Sequence, residues 1–111
     1  MDIGIIDKFI SNSINLIQQS IKTNITKTKV MEKIKTNINK IIKTPDLLKI
    51  IYELLHICID IYYLVYKKIP LSAKIKNHNI NPYIHKYYGI FVKLQKLLKI
   101  GNIKNIYNEI E

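Results

Sequence analysis

The chain has 111 residues, enough for one small domain, and it carries a formal net charge of +10 although 48% of its residues are hydrophobic. So much apolar surface excludes a disordered polycation and predicts a folded domain. The charge favours anionic partners, which are nucleic acid, acidic peptide segments or a membrane surface.

The sequence also indicates a compartment. Its single cysteine, Cys58, excludes an intrachain disulfide and suits a reducing environment. The first residues lack the basic and apolar regions of a signal peptide. The most apolar stretch, residues 47–66, contains Lys49, Glu53 and Asp60, and charges at the centre of a bilayer are costly. It therefore predicts buried core rather than a membrane span, and we expect a nuclear or cytoplasmic protein that is not secreted.

Residues 3–21 predict an amphipathic helix. Isoleucines recur there at spacings of three and four residues, which places them on one helical face. They are Ile3, Ile6, Ile10, Ile14, Ile17 and Ile21. Because polar residues interrupt this pattern at 23–26, we interpret residues 1–25 as an N-terminal helix, either part of the core or appended to it. Residues 26–111 are then the helical bundle domain.

A second amphipathic helix is predicted at about residues 28–43. Its apolar residues share one arc, and Lys29, Lys33, Lys40 and Lys43 fall in the opposite arc. These lysines are either a solvated face or a basic strip that faces phosphates or acidic side chains. A sequence-specific DNA reader is less well supported, because Arg, the preferred reader of guanine, is absent from the chain.

The segment Thr44-Pro45-Asp46 predicts the start of a third helix, with Thr44 as its cap and Pro45 at its first position. Apolar residues surround most of this helix at 46–57, which predicts the central element of the fold. Asp60 is predicted to cap a short fourth helix that runs to Lys67, before Pro70 breaks the pattern.

Residues 71–76 predict a further helical stretch, and residues 77–82 predict a polar connector. The last helix is predicted at about 82–99, with Asn81 as its cap, Pro82 at its first position and Gly101 as the glycine after its end. The predicted fold class is all-α: one compact bundle of five or six helices, built from helix–hairpin–helix units packed with either hand.

The sequence offers little for catalysis. No two carboxylates in core positions have the spacing of a general acid and base, and the common phosphate-binding, zinc-protease and nucleophile-elbow motifs are missing. His56 and Cys58 would project about 200° apart on a helix, so we interpret Cys58 as a small core residue. We expect no enzyme activity, no metal site and no cofactor.

Four features between residues 30 and 100 form a wider pattern. An amphipathic helix, Met31 to Lys43, is followed by a hairpin at 43–47 and by Leu48-x-x-x-Tyr52-x-Leu54-Leu55-x-x-x-Ile59-Asp60. Lys68-Ile69-Pro70 and Lys74-Ile75-Lys76-Asn77-His78 come next. Ile80-Asn81-Pro82-Tyr83-Ile84 then leads into a helix that ends Phe91-Val92-Lys93-x-x-Lys96-Leu97-Leu98. In this order the segments resemble the TFIIS N-terminal domain, the helical module of transcription elongation factors that also occurs as the LEDGF integrase-binding domain.

The sequence departs from that family's pattern at three places. Pro70 stands where Gly is usual, Asp60 stands where the Thr cap is usual, and Leu94-Gln95 stands where a Trp is common. The resemblance implies a module that binds disordered motifs, each an apolar anchor flanked by acidic residues, in a groove between two helix–hairpin–helix units.

By position, the resemblance implies a set of partner-binding residues in and around the two hairpins. They are Thr44, Asp46, Lys74, Lys76, His78 and Ile80. Lys74 and Lys76 would meet acidic flanks at the rim, where charge mainly steers association. Asp46 has an alternative interpretation as a first-turn charge that is favourable with the helix dipole.

Three functions remain open at this point. The first is a non-enzymatic adaptor that binds disordered acidic peptide motifs in transcription or chromatin regulation. The second is a basic helical nucleic-acid-binding protein that uses the lysines of the second helix. The third is a self-associating protein of an A/T-rich virus or parasite, since Ile, Lys and Asn make up about half of the chain. Such a protein would form a homodimer through an exposed Ile6–Ile10–Ile14 face.

Overall fold

A computed structural model describes residues 3–76, 81–101 and 103 of the chain. This part forms six α-helices: α1 (Ile3–Ile21), α2 (Lys27–Ile41), α3 (Pro45–Lys67), α4 (Ala73–Lys76), α5 (Asn81–Lys86) and α6 (Tyr88–Leu98). Since no strand occurs among these residues, the predicted all-α class is confirmed. Within the same ranges, no helix has both the length and the apolar character that crossing a bilayer requires.

The central element is α3, which packs against α1, α2, α4 and α6. Its middle turns are buried on nearly every side, because apolar residues occupy most of their circumference. Ile51, Leu54, Leu55, Ile57, Cys58 and Ile61 are all fully buried. The sequence prediction of a central third helix therefore holds, and the cluster of buried residues extends from α3 into α1, α2 and α6.

The predicted break at Asp60 is wrong, because α3 continues without interruption to Lys67. Asp60 is fully buried inside the helix and does not cap a new one. The helix begins as predicted, with Pro45 in its first turn and Thr44 in extended geometry before it, although no hydrogen bond from the Thr44 side chain caps it. It ends at Lys68, which adopts the left-handed conformation at φ 57°.

The N-terminal helix is an integral part of the bundle. Ile6, Ile10 and Ile14 of α1 are at most 5% exposed and belong to the common core, and Asp7 is ion-paired with Lys93 of α6 at 2.9 Å. The predicted homodimer face is therefore covered by the chain itself. These isoleucines thus contribute to the same core as the other described helices, and they do not form the exposed face that the predicted homodimer requires.

A tight turn connects α1 to α2 and is anchored on α3. Asn24 takes a left-handed conformation at φ 57°, and the Thr26 side chain caps α2 by accepting a hydrogen bond from the Lys29 amide at 3.2 Å. The Tyr63 hydroxyl of α3 donates to the Ile25 carbonyl at 2.8 Å. This turn holds α1 and α2 side by side, and it places α2 at 27–41 rather than at the predicted 28–43.

The predicted last helix is divided into α5 and α6 at Tyr87, whose φ of −112° and ψ of 41° lie outside helical geometry. The Tyr87 ring is buried, so the pattern of apolar residues continues through this interruption of the helix. The helix ends at Leu98, close to the predicted end at about 99, but the left-handed residue that follows it is Lys99 and not a glycine. Lys99 is left-handed, and the Ile100 amide donates to the Gln95 carbonyl at 3.1 Å, which is a Schellman motif without glycine.

Candidate functional site

The least expected feature of the fold is the charged cluster around Asp60. One carboxylate oxygen, Oδ2, accepts a hydrogen bond from the Ser72 amide at 2.8 Å. The other, Oδ1, lies 3.2 Å from Nζ of Lys27 and 3.5 Å from Nδ1 of His56. Lys27 Nζ also lies 3.4 Å from the Pro70 carbonyl. Asp60 thus connects the first turn of α2, the interior of α3 and the segment before α4.

These contacts keep Asp60 ionised. Burial alone would raise its pKa, but the donors of His56 and Ser72 and the positive charge of Lys27 outweigh burial and lower the pKa to about 2. A buried carboxylate that is ionised at neutral pH needs these partners, because an unpaired charge in a protein interior is expensive. The cluster has the properties of a structural connection between three segments.

A pocket of about 290 Å³ opens between α2 and α3 next to this cluster. Its lining consists of Lys27, Thr28, Met31, Glu32, Lys35, His56 and Ile59. The two lysines are offset by Glu32 and by Asp60, which contacts Lys27, and Lys35 Nζ lies 5.1 Å from the centre of the Tyr52 ring. The pocket wall therefore has little net charge with which to attract an ion.

Nothing in the described ranges resembles a metal site, because no three His, Cys, Asp or Glu side chains are grouped there. The Cys58 thiol is fully buried, and burial raises its pKa to about 12, so the reactive thiolate is suppressed. The sequence interpretation of Cys58 as a core residue agrees with this position.

The partner-binding residues implied by the resemblance are only partly described. Thr44 and Asp46 are exposed at the start of α3, and Lys74 is exposed in α4. Ser72 is held beside Asp60, and Asp46 and Asp60 are about 21 Å apart along α3 at the usual helical rise. The Lys76 side chain, His78 and Ile80 lie outside the described residues. The structure therefore does not bring Thr44 and Asp46 together with the anchored segment that leads to Lys74.

One contact connects α5 to the first half of α3. The Tyr83 hydroxyl of α5 donates a hydrogen bond to the Glu53 carboxylate, and this bond raises the pKa of Tyr83 to about 12. Glu53 lies one heptad after Asp46 and one before Asp60 in the sequence, so three carboxylates share one side of α3. Two of them have partners in other segments, and only Asp46 is exposed.

The lysines predicted as a basic strip are exposed on α2. Lys29, Lys33 and Lys40, here called the basic face, lie within an arc of about 40° at 3.6 residues per turn. None of the carboxylates described in the structure is paired with them. Lys43 is exposed beyond the helix end, where its Nζ donates to the Asn39 carbonyl at 2.8 Å and so interacts favourably with the last turn of α2.

Beside the basic face, a groove of about 220 Å³ runs between α1 and α2. Its described lining consists of Leu16, Gln19, Ser20, Thr23, Ile25, Val30, Lys33 and Ile34, and it contains no carboxylate. Leu16 is 36% exposed and Ile25 is half-buried. This α1–α2 groove is apolar inside and basic at one edge, unlike the pocket between α2 and α3.

Sequence reasoning missed both the Asp60 cluster and the α1–α2 groove. A signal for the first was available, because a lone aspartate inside a long apolar run predicts a buried charge that needs a partner. A signal for the second was Leu16, which lines the groove and shares one side of α1 with Ile5 and Phe9. These three residues widen the apolar surface of α1 beyond what one core-facing stripe requires.

No family model matches the chain, and comparison with curated proteins and with solved structures finds no match. The resemblance to the TFIIS N-terminal domain therefore stays a prediction. What the protein binds is inferred below from the geometry of its own residues.

Proposed function

We propose that the protein is a non-enzymatic interaction module that binds a short acidic–hydrophobic segment of a partner protein. The observation that carries this proposal is the basic face of α2 at the edge of the α1–α2 groove, which contains no carboxylate among its described lining residues. An apolar anchor fits the groove, and acidic flanking residues fit the lysines.

Electrostatics favours such a partner. The net charge of +10 attracts acidic segments over a distance and raises the rate of encounter. Exposed lysines contribute modestly to affinity, about 0.5 kcal/mol or less for each pair with a carboxylate. Most of the binding energy must then come from apolar contact, and this need for an apolar anchor separates the proposal from generic attraction to polyanions.

Nucleic acid is the second candidate, and the exposure of Lys29, Lys33, Lys40 and Lys43 favours it. Single-stranded nucleic acid is usually held by aromatic stacking as well as by charge. The large exposed aromatic side chains among the described residues, Tyr66 and Tyr88, lie on α3 and α6 and not on the basic face. Nucleic-acid binding through α2 would therefore depend on lysine–phosphate contacts alone and would weaken steeply with salt.

The proposal can be tested with three fluorescent probes at several salt concentrations. The first is a ten-residue peptide with a central Leu-Phe pair between two runs of four carboxylates. The second replaces the pair by Ala-Ala, and the third is a twelve-nucleotide single strand. We expect fluorescence anisotropy to show binding of the first peptide, and replacing Lys29, Lys33 and Lys40 by Gln should weaken it by about tenfold, from about 0.5 kcal/mol for each lost pair.

The matched control replaces three other exposed lysines, Lys8, Lys67 and Lys96, which changes the net charge equally but leaves α2 intact. This control should change the affinity by less than about twofold, a small effect of net charge alone. Equal binding of the two peptides, or equal effects of the two triple variants, would refute the proposal. Preferential binding of the oligonucleotide, lost above moderate salt, would establish the second candidate instead.

The hairpin residues implied by the resemblance make a competing proposal for the location of the site. Replacing Asp46 by Asn removes the hairpin carboxylate without changing its shape, and it should reduce peptide binding if the partner lies there. A part in transcription or chromatin regulation, with a nuclear or cytoplasmic location, rests on the resemblance alone and belongs to this proposal.

A further inference from the structure

Two strips of side chains, one on α1 and one on α2, meet at the α1–α2 groove, where Leu16 of the first strip and Lys33 of the second belong to the lining. On α1, Ile5 and Leu16 are 38% and 36% exposed, Phe9 is half-buried, and the three lie within an arc of about 40°. On α2, the basic face runs from Lys29 to Lys40. Each strip spans twelve residues of helix, and its two ends are about 16 Å apart at the helical rise.

Three polar groups of the residues that line the α1–α2 groove already have partners within the chain. The Ser20 hydroxyl donates to the Leu16 carbonyl at 2.8 Å, and the Thr23 hydroxyl donates to the Ser20 carbonyl at 2.8 Å. The Ile25 carbonyl accepts from Tyr63. These three groups therefore need no hydrogen bond from a partner. Apart from Gln19 and Lys33, the other described lining residues are Leu16, Ile25, Val30 and Ile34, so the groove mainly offers apolar contact.

We propose that the α1–α2 groove binds its partner segment as an acidic amphipathic α-helix. The helix would place an apolar stripe on Leu16 in the groove and on Ile5 and Phe9, which lie on the same side of α1 beyond the groove lining. Its carboxylates would lie toward the basic face. This inference rests on the proposed function and makes it specific in conformation and location.

The partner segment is assigned as a helix because the two strips have the same length. A helix of about three turns presents apolar residues at intervals of three and four over about 16 Å, with acidic residues along one flank. The basic face has no carboxylate partner among the described residues, so its charge is complementary to such a flank. An extended segment would present alternate side chains to opposite sides and would match only one strip.

The test uses two peptides of sixteen residues and identical composition. In the first, leucines at positions 3, 7, 10 and 14 form one helical stripe among glutamates and alanines; in the second, the same residues are shuffled so that no stripe exists. We expect the striped peptide to gain helical circular dichroism on binding and to bind at least tenfold more tightly than the shuffled one.

Two protein variants of similar exposure localise the contact. Leu16→Glu places a carboxylate in the groove and should weaken the striped peptide by at least tenfold. Ile69→Glu changes a residue outside the groove that is 38% exposed, against 36% for Leu16, and should have less than a twofold effect. Gln19→Glu, an isosteric change at the exposed rim, gives a second measurement in case Leu16→Glu disturbs the fold, and should weaken binding by about threefold through repulsion.

The outcomes separate the two proposals. The variant with Gln at Lys29, Lys33 and Lys40 tests the basic face, and Leu16→Glu and Gln19→Glu test the groove. If the first weakens binding of both the striped and the shuffled peptide while the other two leave binding unchanged, the helix-in-groove inference is wrong and the proposed function stands. Binding of the striped peptide without gain of helicity also contradicts the inference. If none of the basic-face and groove variants changes the affinity, both proposals fail together.

Discussion

The two sides of α2 use the same residue type for different purposes. Lys27, on the side that faces α3, is 21% exposed and pairs with the buried Asp60 at 3.2 Å. Lys33, on the side that borders α1, is exposed and has no carboxylate partner among the described residues. The difference shows that the position of a lysine on the helix decides whether its charge serves the fold or remains available to a partner.

Energetics makes this contrast measurable. A paired charge in a protein interior is costly to separate, because the remaining partner stays desolvated. An exposed charge has little effect on folding, since water and salt screen it. Substitutions of the paired charges should therefore lower stability, whereas substitutions of the exposed lysines should weaken binding. We test this separation below, from the largest expected effect to the smallest.

The largest effect is expected for Asp60→Ala. It removes the acceptor of the Ser72 amide and leaves Lys27 without its partner. We expect the free energy of unfolding to fall by about 3–5 kcal/mol, the usual cost of breaking a buried pair. Urea unfolding followed by circular dichroism measures this loss.

Asp60→Asn is the matched control for that change, because it keeps an oxygen for the Ser72 amide and removes the charge. It should cost less than Asp60→Ala. If Asp60→Ala were as stable as the wild type, the cluster would not connect the three segments that it joins in this structure.

Lys27→Met is expected to have the second largest effect, about 2–3 kcal/mol. The methionine keeps the apolar stem but leaves the Asp60 carboxylate with only His56 and the Ser72 amide as neighbours. The value stays below that of a fully buried pair because Lys27 is partly exposed. A double-mutant cycle with Asp60→Asn measures the coupling between the two side chains directly. A coupling energy near zero would show that the 3.2 Å contact contributes nothing to stability.

The pH dependence of stability gives a third effect. The pKa of Asp60 is lowered from 3.8 to about 2 in the folded chain. The stabilising contribution is therefore fully present above pH 4 and is lost as the pH falls from about 4 to 2. A shift of this size corresponds to about 2 kcal/mol. Unfolding curves at pH 6, 4 and 2 should show this loss in the wild type and a smaller one in Asp60→Asn; identical slopes would contradict the assignment.

Local patterns predicted the helices well wherever short-range information decides their position. The isoleucine spacing of α1 and the Thr44-Pro45 start of α3 follow from helical geometry and capping. The role of Asp60 was predicted wrongly because it depends on contacts between residues that are distant in sequence. Aspartate is a poor residue for helix interiors and a good cap, and only Lys27 and the Ser72 amide, which are distant in sequence, make its burial favourable.

The end of α6 shows a similar limit. Glycine is the usual left-handed residue after a helix, and Gly101 was the natural choice from sequence. The chain instead turns at Lys99, which lets Ile103 reach the core while its amide donates to the Gln95 side chain at 3.1 Å. The predicted end near residue 99 is right, and only the residue that takes the left-handed conformation differs from the glycine that local patterns favour.

The candidate site was only partly predictable. The exposed lysines of α2 follow from the helical wheel, because the arc opposite a buried stripe faces solvent. The groove beside them does not, since its shape depends on how closely α1 approaches α2 and on the turn that Tyr63 anchors. A sequence pattern thus predicts the charge of a surface better than its shape.

The smallest expected effect on stability belongs to Lys33→Gln, and it tests the comparison most directly. Lys33 lies six residues after Lys27 on the same helix, yet its replacement should change the free energy of unfolding by less than about 0.5 kcal/mol, as for an ordinary exposed side chain. The same variant should weaken the acidic peptide by about twofold, from the loss of one exposed charge pair. A destabilisation as large as that of Lys27→Met would mean that Lys33 also serves the fold. The basic face would then not be fully available to a partner, because one of its lysines would be needed for folding.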